Sequence, residues 1–65
     1  MSDVKYPKLR IEMSKRGDTQ EKLAKLLEIS IASVNRRLQG KTRWTIGDIE
    51  KICERYGKDY YELFK

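Results

Sequence analysis

The chain has 65 residues, of which 38% are hydrophobic and 38% are charged, and its net charge is +5. A chain this short forms one domain, residues 1–65, with one modest core, and it leaves little room for an enzyme cleft. Because it has no histidine and a single cysteine, an internal disulfide, the usual zinc sites and the commonest general base are excluded, and no apolar run approaches the length of a membrane span.

Five short helices are predicted, because apolar residues recur at helical spacing and no segment alternates for long with period two. The first begins at Pro7, whose fixed φ suits a first helical position, and ends near Arg16, before Gly17. The second begins after Thr19, whose hydroxyl can cap the first turn, and ends near Glu28. The residues of these two helices predicted to face the core are Leu9, Met13, Leu23, Ala24 and Leu27.

The third helix begins after Ser30, a second capping residue, and Gly40 ends it. Val34 and Leu38 lie four residues apart, so both are predicted to face the core. Only two or three residues separate the second helix from the third. So short a connection forces a sharp angle between the two helices.

The fourth helix has the clearest beginning. Thr45 followed three residues later by Asp48 predicts a capping box, and Trp44 before the cap can pack on Ile49 as a hydrophobic staple. Gly57 ends the helix. Its buried stripe is predicted to continue through Ile52, Cys53 and Tyr56.

The fifth helix is one or two turns long and is capped by Asp59, with Glu62 three residues on. Three of its residues are predicted to face the core: Tyr60, Leu63 and Phe64. Tyr61 cannot face the same way as its neighbour on a helix, and we expect it at the surface. Together these elements predict an all-α, compact five-helix domain.

Positive charge is concentrated in residues 31–44, which carry four bases and no acid; we call them the acid-free segment. The four bases are Arg36, Arg37, Lys41 and Arg43. A local excess of positive charge attracts polyanions, and nucleic acid is the commonest polyanion in the cytosol. An ordinary solvated basic face is the alternative, and Lys5, Lys8 and Arg10 can extend the positive surface in either case.

The third helix has a polar outer face. With Val34 and Leu38 on the core, the opposite side holds Ala32, Ser33, Arg36 and Gln39, and it is flanked by Asn35 and Arg37. Such a helix, residues 31–39, suits the major groove, where arginine can donate two bonds to a guanine and asparagine can bond an adenine edge or a phosphate. The predicted base-reading residues are Ala32, Ser33, Asn35 and Arg36.

The run TQEKLAKLLEISIASVNRRLQG resembles the helix-turn-helix of the phage repressor and Cro-like family, also called lambda-repressor-like or XRE-type. The following VNRRLQGKTRWTIGDIEKIC and the closing YYELF are similar to small phage-encoded repressors of that family, so the resemblance spans roughly residues 5–64. It implies a five-helix fold with a helix-turn-helix at about residues 20–39. It also implies a sequence-specific transcriptional regulator, a phage or prophage repressor that binds double-stranded operator DNA.

The resemblance also implies that Gln20 bonds a DNA phosphate and that Lys41 and Arg43 contact the DNA backbone. The complete set of expected backbone contacts is Gln20, Ser30, Arg37, Gln39, Lys41 and Arg43. Two positions depart from the family pattern. Glu28 occupies the turn position where the family usually has glycine, and many relatives carry a polar or basic residue at the position of Ile31. We interpret Ile31 as the edge of the core, with contact to a thymine methyl as the alternative.

The expected partners are operator DNA and a second copy of the chain, as a weak homodimer or a dimer formed on DNA. No membrane, small-molecule substrate, cofactor or metal is expected, and the protein is placed in the cytoplasm of a bacterial or phage-infected cell. A protein-interaction module that docks an acidic partner is an alternative function. An RNA-binding role would need exposed aromatic residues for stacking. An enzyme is disfavoured, because the chain has no nucleophile with a base and no phosphate loop.

Overall fold

The computed structural model describes residues 5–65, so the first four residues of the predicted domain lie outside the described part. Residues 5–65 form five helices and no strand. The helices are α1 (Pro7–Lys15), α2 (Gln20–Leu27), α3 (Ile31–Leu38), α4 (Ile46–Tyr56) and α5 (Tyr60–Phe64). The all-α fold of five helices is therefore confirmed. Within this part of the chain, no helix is long and apolar enough to cross a membrane.

A single core joins all five helices. α1 packs chiefly on α5, and α2 on α3. The residues with no exposed surface are Leu9, Val34, Ile52 and Leu63, one from each of four helices, and Leu23 of α2 is 1% exposed. Burying each such side chain stabilises the fold by about 1.5–3 kcal/mol. The predicted inward faces of α1, α2 and α3 are confirmed, since Met13, Ala24, Leu27 and Leu38 are buried as well.

The turn between α2 and α3 tolerates an acidic residue where glycine was expected. Glu28 adopts the left-handed conformation, with φ 58 and ψ 42, and the next amide, of Ile29, donates to the Ala24 carbonyl at 3.1 Å. A residue other than glycine in this conformation costs about 1–2 kcal/mol. Lys51 of α4 lies 3.4 Å from the Glu28 carboxylate. The turn thus keeps the geometry that a glycine would allow, and α3 follows after three residues.

The end of α3 is closed by a Schellman motif. The Lys41 amide donates to the Arg36 carbonyl at 2.9 Å, and the Gly40 amide donates to the Arg37 carbonyl at 3.1 Å. Gly40 has φ 79, and a Cβ at this position would lie 3.1 Å from Cγ of Lys5. The positive φ favours glycine here, and a Cβ would also displace the Lys5 side chain by a few tenths of an ångström.

The chain before α2 is held against the end of α4 by a buried carboxylate. Arg55 donates to both oxygens of Asp18, at 2.8 and 2.6 Å, and the Tyr56 hydroxyl donates to Oδ2 at 2.8 Å. The hydrogen bonds from Arg55 are the main reason that the pKa of Asp18 falls from 3.8 to about 2. Because Asp18 directly precedes the N-cap Thr19, this network sets where α2 begins.

Tyr6, Trp44 and Phe64 form an aromatic cluster. Trp44 meets Tyr6 and Phe64 edge to face, with ring centroids 6.1 and 5.6 Å apart. Trp44 and Ile49 are both half-buried, pack against the core and line one small cavity, and their direct contact as a staple stays a prediction. Both predicted capping boxes, at Thr45 and Asp59, are present.

The prediction for Tyr60 is wrong. Its side chain is 38% exposed and stacks on Phe64 at 5.5 Å, because α5 is too short to bury residues on two sides. Tyr61 is 70% exposed, as expected.

Candidate nucleic-acid interface

The polar surface of α3 begins at its cap. The Ser30 side chain accepts from the Ser33 amide at 3.1 Å and donates to the Ser33 hydroxyl at 2.9 Å. Arg36 Nη2, one turn further on, donates to the same hydroxyl at 3.4 Å. These three side chains form a polar row along the helix, in which Ser30 and Arg36 are exposed and Ser33 is half-buried, and Ala32 lies exposed beside them. The Arg36 guanidinium thus lies next to a part of the helix surface where the exposed side chain, Ala32, is small.

Five of the eleven bases outside the acid-free segment in residues 5–65 are paired with a carboxylate. Among them, Arg16, Lys51, Arg55 and Lys58 each lie within 4 Å of a carboxylate. By contrast, within residues 5–65 the exposed Arg36, Lys41 and Arg43 have no carboxylate within that distance. Their charge is therefore not neutralised inside the domain and is available to an external anion.

Arg37 is the exception in the segment. Its side chain is 15% exposed, and its Nε lies 3.3 Å from Oδ2 of Asp48. The Nε–H is not aligned on that oxygen, so the contact is an ion pair without a hydrogen bond. The same carboxylate closes the capping box of α4. The expectation of a DNA-backbone contact from Arg37 is at odds with this arrangement, which uses the arginine to join α3 to α4.

Gln20 and Asn35, which the sequence assigned to different roles, are in contact. Gln20 is the first residue of α2, and its Oε1 accepts from Asn35 Nδ2 at 3.3 Å. Both side chains are half-buried. The structure thus brings the expected phosphate-binding amide and an expected base-reading amide together where α2 packs on α3.

Ile31 lies at the surface and not at the core edge. Its side chain is 49% exposed, and it is not among the hydrophobic residues packed on the core. It is the first residue of α3 and directly follows the N-cap Ser30. The interpretation as core edge is wrong, and the thymine-methyl alternative stays a prediction.

The sequence missed the role of Arg10. Its Nη2 donates to the Leu38 carbonyl at 3.5 Å and its Nε to the Lys5 carbonyl at 3.4 Å. A cation at the carboxyl end of a helix is favourable for the helix dipole. Arg10 thus supports the end of α3 from α1, a contact between residues 28 positions apart that no local pattern signals.

The remaining expected backbone contacts lie at the end of α3 and in the loop that follows it. Gln39 caps the end of α3, and Lys41 and Arg43 follow in the loop, all exposed. Residues 5–65 contain no cluster of metal-ligating side chains. Burial raises the pKa of the half-buried Cys53 thiol, which is the opposite of what a nucleophilic cysteine needs.

Comparison with known families gives one match. The sequence profile of the Cro/C1-type HTH DNA-binding domain matches residues 8–65. Comparison with curated proteins and with solved structures gives no significant match. The matched family consists of DNA-binding transcription regulators and is not an enzyme family. With its five helices, short α2–α3 turn and unneutralised basic surface, the chain belongs to the Cro/C1-type helix-turn-helix DNA-binding family.

Proposed function

We propose that the chain is a sequence-specific repressor of phage or prophage type that lays residues 31–39 in the major groove of an operator. One observation carries the proposal: Arg36, Lys41 and Arg43 are exposed on α3 and the following loop and pair with no carboxylate within residues 5–65. Guanine edges and phosphates supply the missing acceptors. The whole chain, residues 1–65, acts as one DNA-binding domain in the cytoplasm of a bacterial or phage-infected cell.

Base reading is assigned to Ala32, Ser33 and Arg36 of α3. Ala32 has no side chain beyond Cβ and permits close approach to the base edges. The Ser33 hydroxyl accepts from Ser30 and Arg36, which leaves its own hydrogen free to donate to a base. Arg36 reaches furthest and can donate two bonds to one guanine. Ile31, which is 49% exposed at the start of the helix, offers an apolar surface to a thymine methyl.

Backbone contacts are assigned to five other residues. They are Gln20 at the start of α2, the α3 caps Ser30 and Gln39, and Lys41 and Arg43 in the following loop. Contacts of this kind set the register and strength of binding but carry no base sequence information. Arg37 is left out of the set, because a phosphate contact would have to break its ion pair with Asp48.

A second copy of the chain is the proposed protein partner. Ile46 and Tyr61 are 78% and 70% exposed, and both belong to the α4–α5 half of the domain. Dimeric binding to two half-sites one helical turn apart is the usual arrangement for a helix-turn-helix. We expect a weak dimer or a monomer in solution and two copies on the operator. Analytical ultracentrifugation of the free protein and of its DNA complex measures both, and a tight dimer without DNA contradicts this expectation.

Selection of bound sites from a random duplex pool tests the function as a whole. The expected result is enrichment of one motif, with two related half-sites if two copies bind. A gel shift on random duplex at low salt accompanies it, because even non-specific binding depends on the same basic surface. No shift at low salt and no enriched motif would refute the proposal and would favour an acidic protein as the partner of this surface.

A further inference from the structure

Asn35 and Gln20 are joined by a hydrogen bond whose direction matters for DNA binding. The Asn35 amide donates through Nδ2 to Gln20 Oε1 at 3.3 Å. With its oxygen engaged in this bond, the Gln20 side chain has its Nε2 donors free. A phosphate has only acceptor oxygens, so an amide can bond it only through its N–H groups. The contact therefore holds Gln20 in the orientation that a phosphate requires.

Asn35 is the polar side chain of α3 that contacts Gln20. Ile31 is apolar, and Ser33 is bonded to Ser30 and Arg36. Asn35 is half-buried where α2 packs on α3, whereas Arg36 beside it is exposed. An asparagine that reads adenine presents both its oxygen and its amide nitrogen to the base edge. In this structure the Asn35 nitrogen is turned towards α2.

We propose that Asn35 is a positioning residue, which orients the Gln20 amide for a DNA phosphate and does not read a base. This assignment rests on the proposed function and replaces the base-reading role that the helical wheel suggested. It makes the strength of binding depend on Asn35 without making the sequence preference depend on it. It also couples the two helices of the motif, since the phosphate contact from α2 is correct only when α3 is packed in place.

The test is a double-mutant cycle on the intact chain, with dissociation constants measured on the selected operator and on random duplex. Asn35→Ala is expected to weaken binding to both duplexes by a similar factor of about three to ten, and Gln20→Ala by about tenfold, the effect of one lost hydrogen bond to a charged group. In the Gln20→Ala background, Asn35→Ala is expected to have little further effect. Thermal melting of each variant shows that the domain stays folded.

Two more variants sharpen the cycle. Gln39→Ala removes an amide from the end of the same helix that has no hydrogen bond to Gln20, so its effect is expected to add to that of Gln20→Ala. Asn35→Asp keeps the shape of the side chain but can only accept, so it turns the Gln20 oxygen outwards. The negative charge of Asn35→Asp repels DNA whether or not Gln20 is present. The wrong orientation of Gln20 adds to that loss only when Gln20 is present, so Asn35→Asp is expected to weaken binding more in the unaltered background than in the Gln20→Ala background.

The outcomes separate this assignment from the proposed function. If the unaltered chain binds neither duplex, both are overturned. If the unaltered chain binds and Asn35→Ala has the same dissociation constants, the positioning role is refuted while the proposed function stands. The positioning role is also refuted if Asn35→Ala relaxes the preference at one base position. It is likewise refuted if the double variant weakens binding by the product of the two single-variant factors, because the two residues then act independently. Equal loss on both duplexes together with non-additivity supports it.

Discussion

Replacing Asp18 by asparagine tests whether the buried carboxylate holds the beginning of α2. The Asp18 side chain is 1% exposed and accepts from Arg55 twice and from Tyr56 once. Asparagine keeps the shape but loses the charge and turns an N–H group towards donors. We therefore expect Asp18→Asn to lower the free energy of unfolding at neutral pH, because it weakens the hydrogen bonds from Arg55 and Tyr56.

The size of the effect follows from the pKa of Asp18. A fall from 3.8 to about 2 in the folded state corresponds to about 2–3 kcal/mol, each pKa unit being worth about 1.4 kcal/mol. Because the Arg55 side chain is 41% exposed, solvent screens part of the attraction, and this value is the upper end for the charge alone. The depressed pKa gives the sign: this stability is present above pH 3.8 and is lost as the pH falls towards 2.

Urea denaturation followed by circular dichroism at several pH values measures the effect. The deficit of Asp18→Asn relative to the unaltered chain is expected to be largest at pH 5–7 and to shrink towards pH 2. Glu50→Gln is the matched control, because Glu50 is exposed and has no ion pair within residues 5–65. That control is expected to change the stability by less than about 0.5 kcal/mol. A deficit that is absent at pH 7, or unchanged at pH 2, would refute the reasoning.

Three further substitutions separate DNA contacts from structural ones. Arg36→Ala is expected to weaken binding to the preferred site by about 1–3 kcal/mol and to relax selectivity at one base pair; binding equal to that of the parent on specific and random duplex would remove Arg36 from base reading. Lys41→Ala is expected to weaken binding to all sequences and to reduce the slope of log K against log salt by about one, and an unchanged slope would exclude a phosphate contact. Arg37→Ala is expected to lower the unfolding free energy by about 1–3 kcal/mol, because it leaves the carboxylate of Asp48 without its cation, while the salt slope stays unchanged; a reduced slope in a variant of unaltered stability would instead place Arg37 on a phosphate.

Most of the fold could be predicted from the sequence, because helix beginnings and ends are local. Thr45 with Asp48, and Asp59 with Glu62, form the predicted capping boxes. Each box depends on chemistry within four residues. Tyr60 was mispredicted, because whether a side chain on a five-residue helix is covered depends on its neighbours and not on its own period.

The candidate site could be predicted only in part. The helical wheel of α3 correctly predicted that Val34 and Leu38 face the core. It placed Asn35 and Arg37 on the flanks of the outer face. Each of them meets a polar partner from another helix, at Gln20 and at Asp48. A wheel describes one helix alone, so it cannot show partners that only the packing of helices supplies.

Arg36 and Arg37 separate what the sequence determined from what the tertiary structure decided. The sequence alone determined that a basic, acid-free segment follows a short turn between two helices, because charge and capping are local properties. It could not distinguish the two adjacent arginines. The tertiary fold puts Asp48 of α4 beside Arg37 and leaves Arg36 exposed. Since a guanidinium already paired with a carboxylate is less available to a phosphate, the tertiary structure decides which arginine is free to meet DNA.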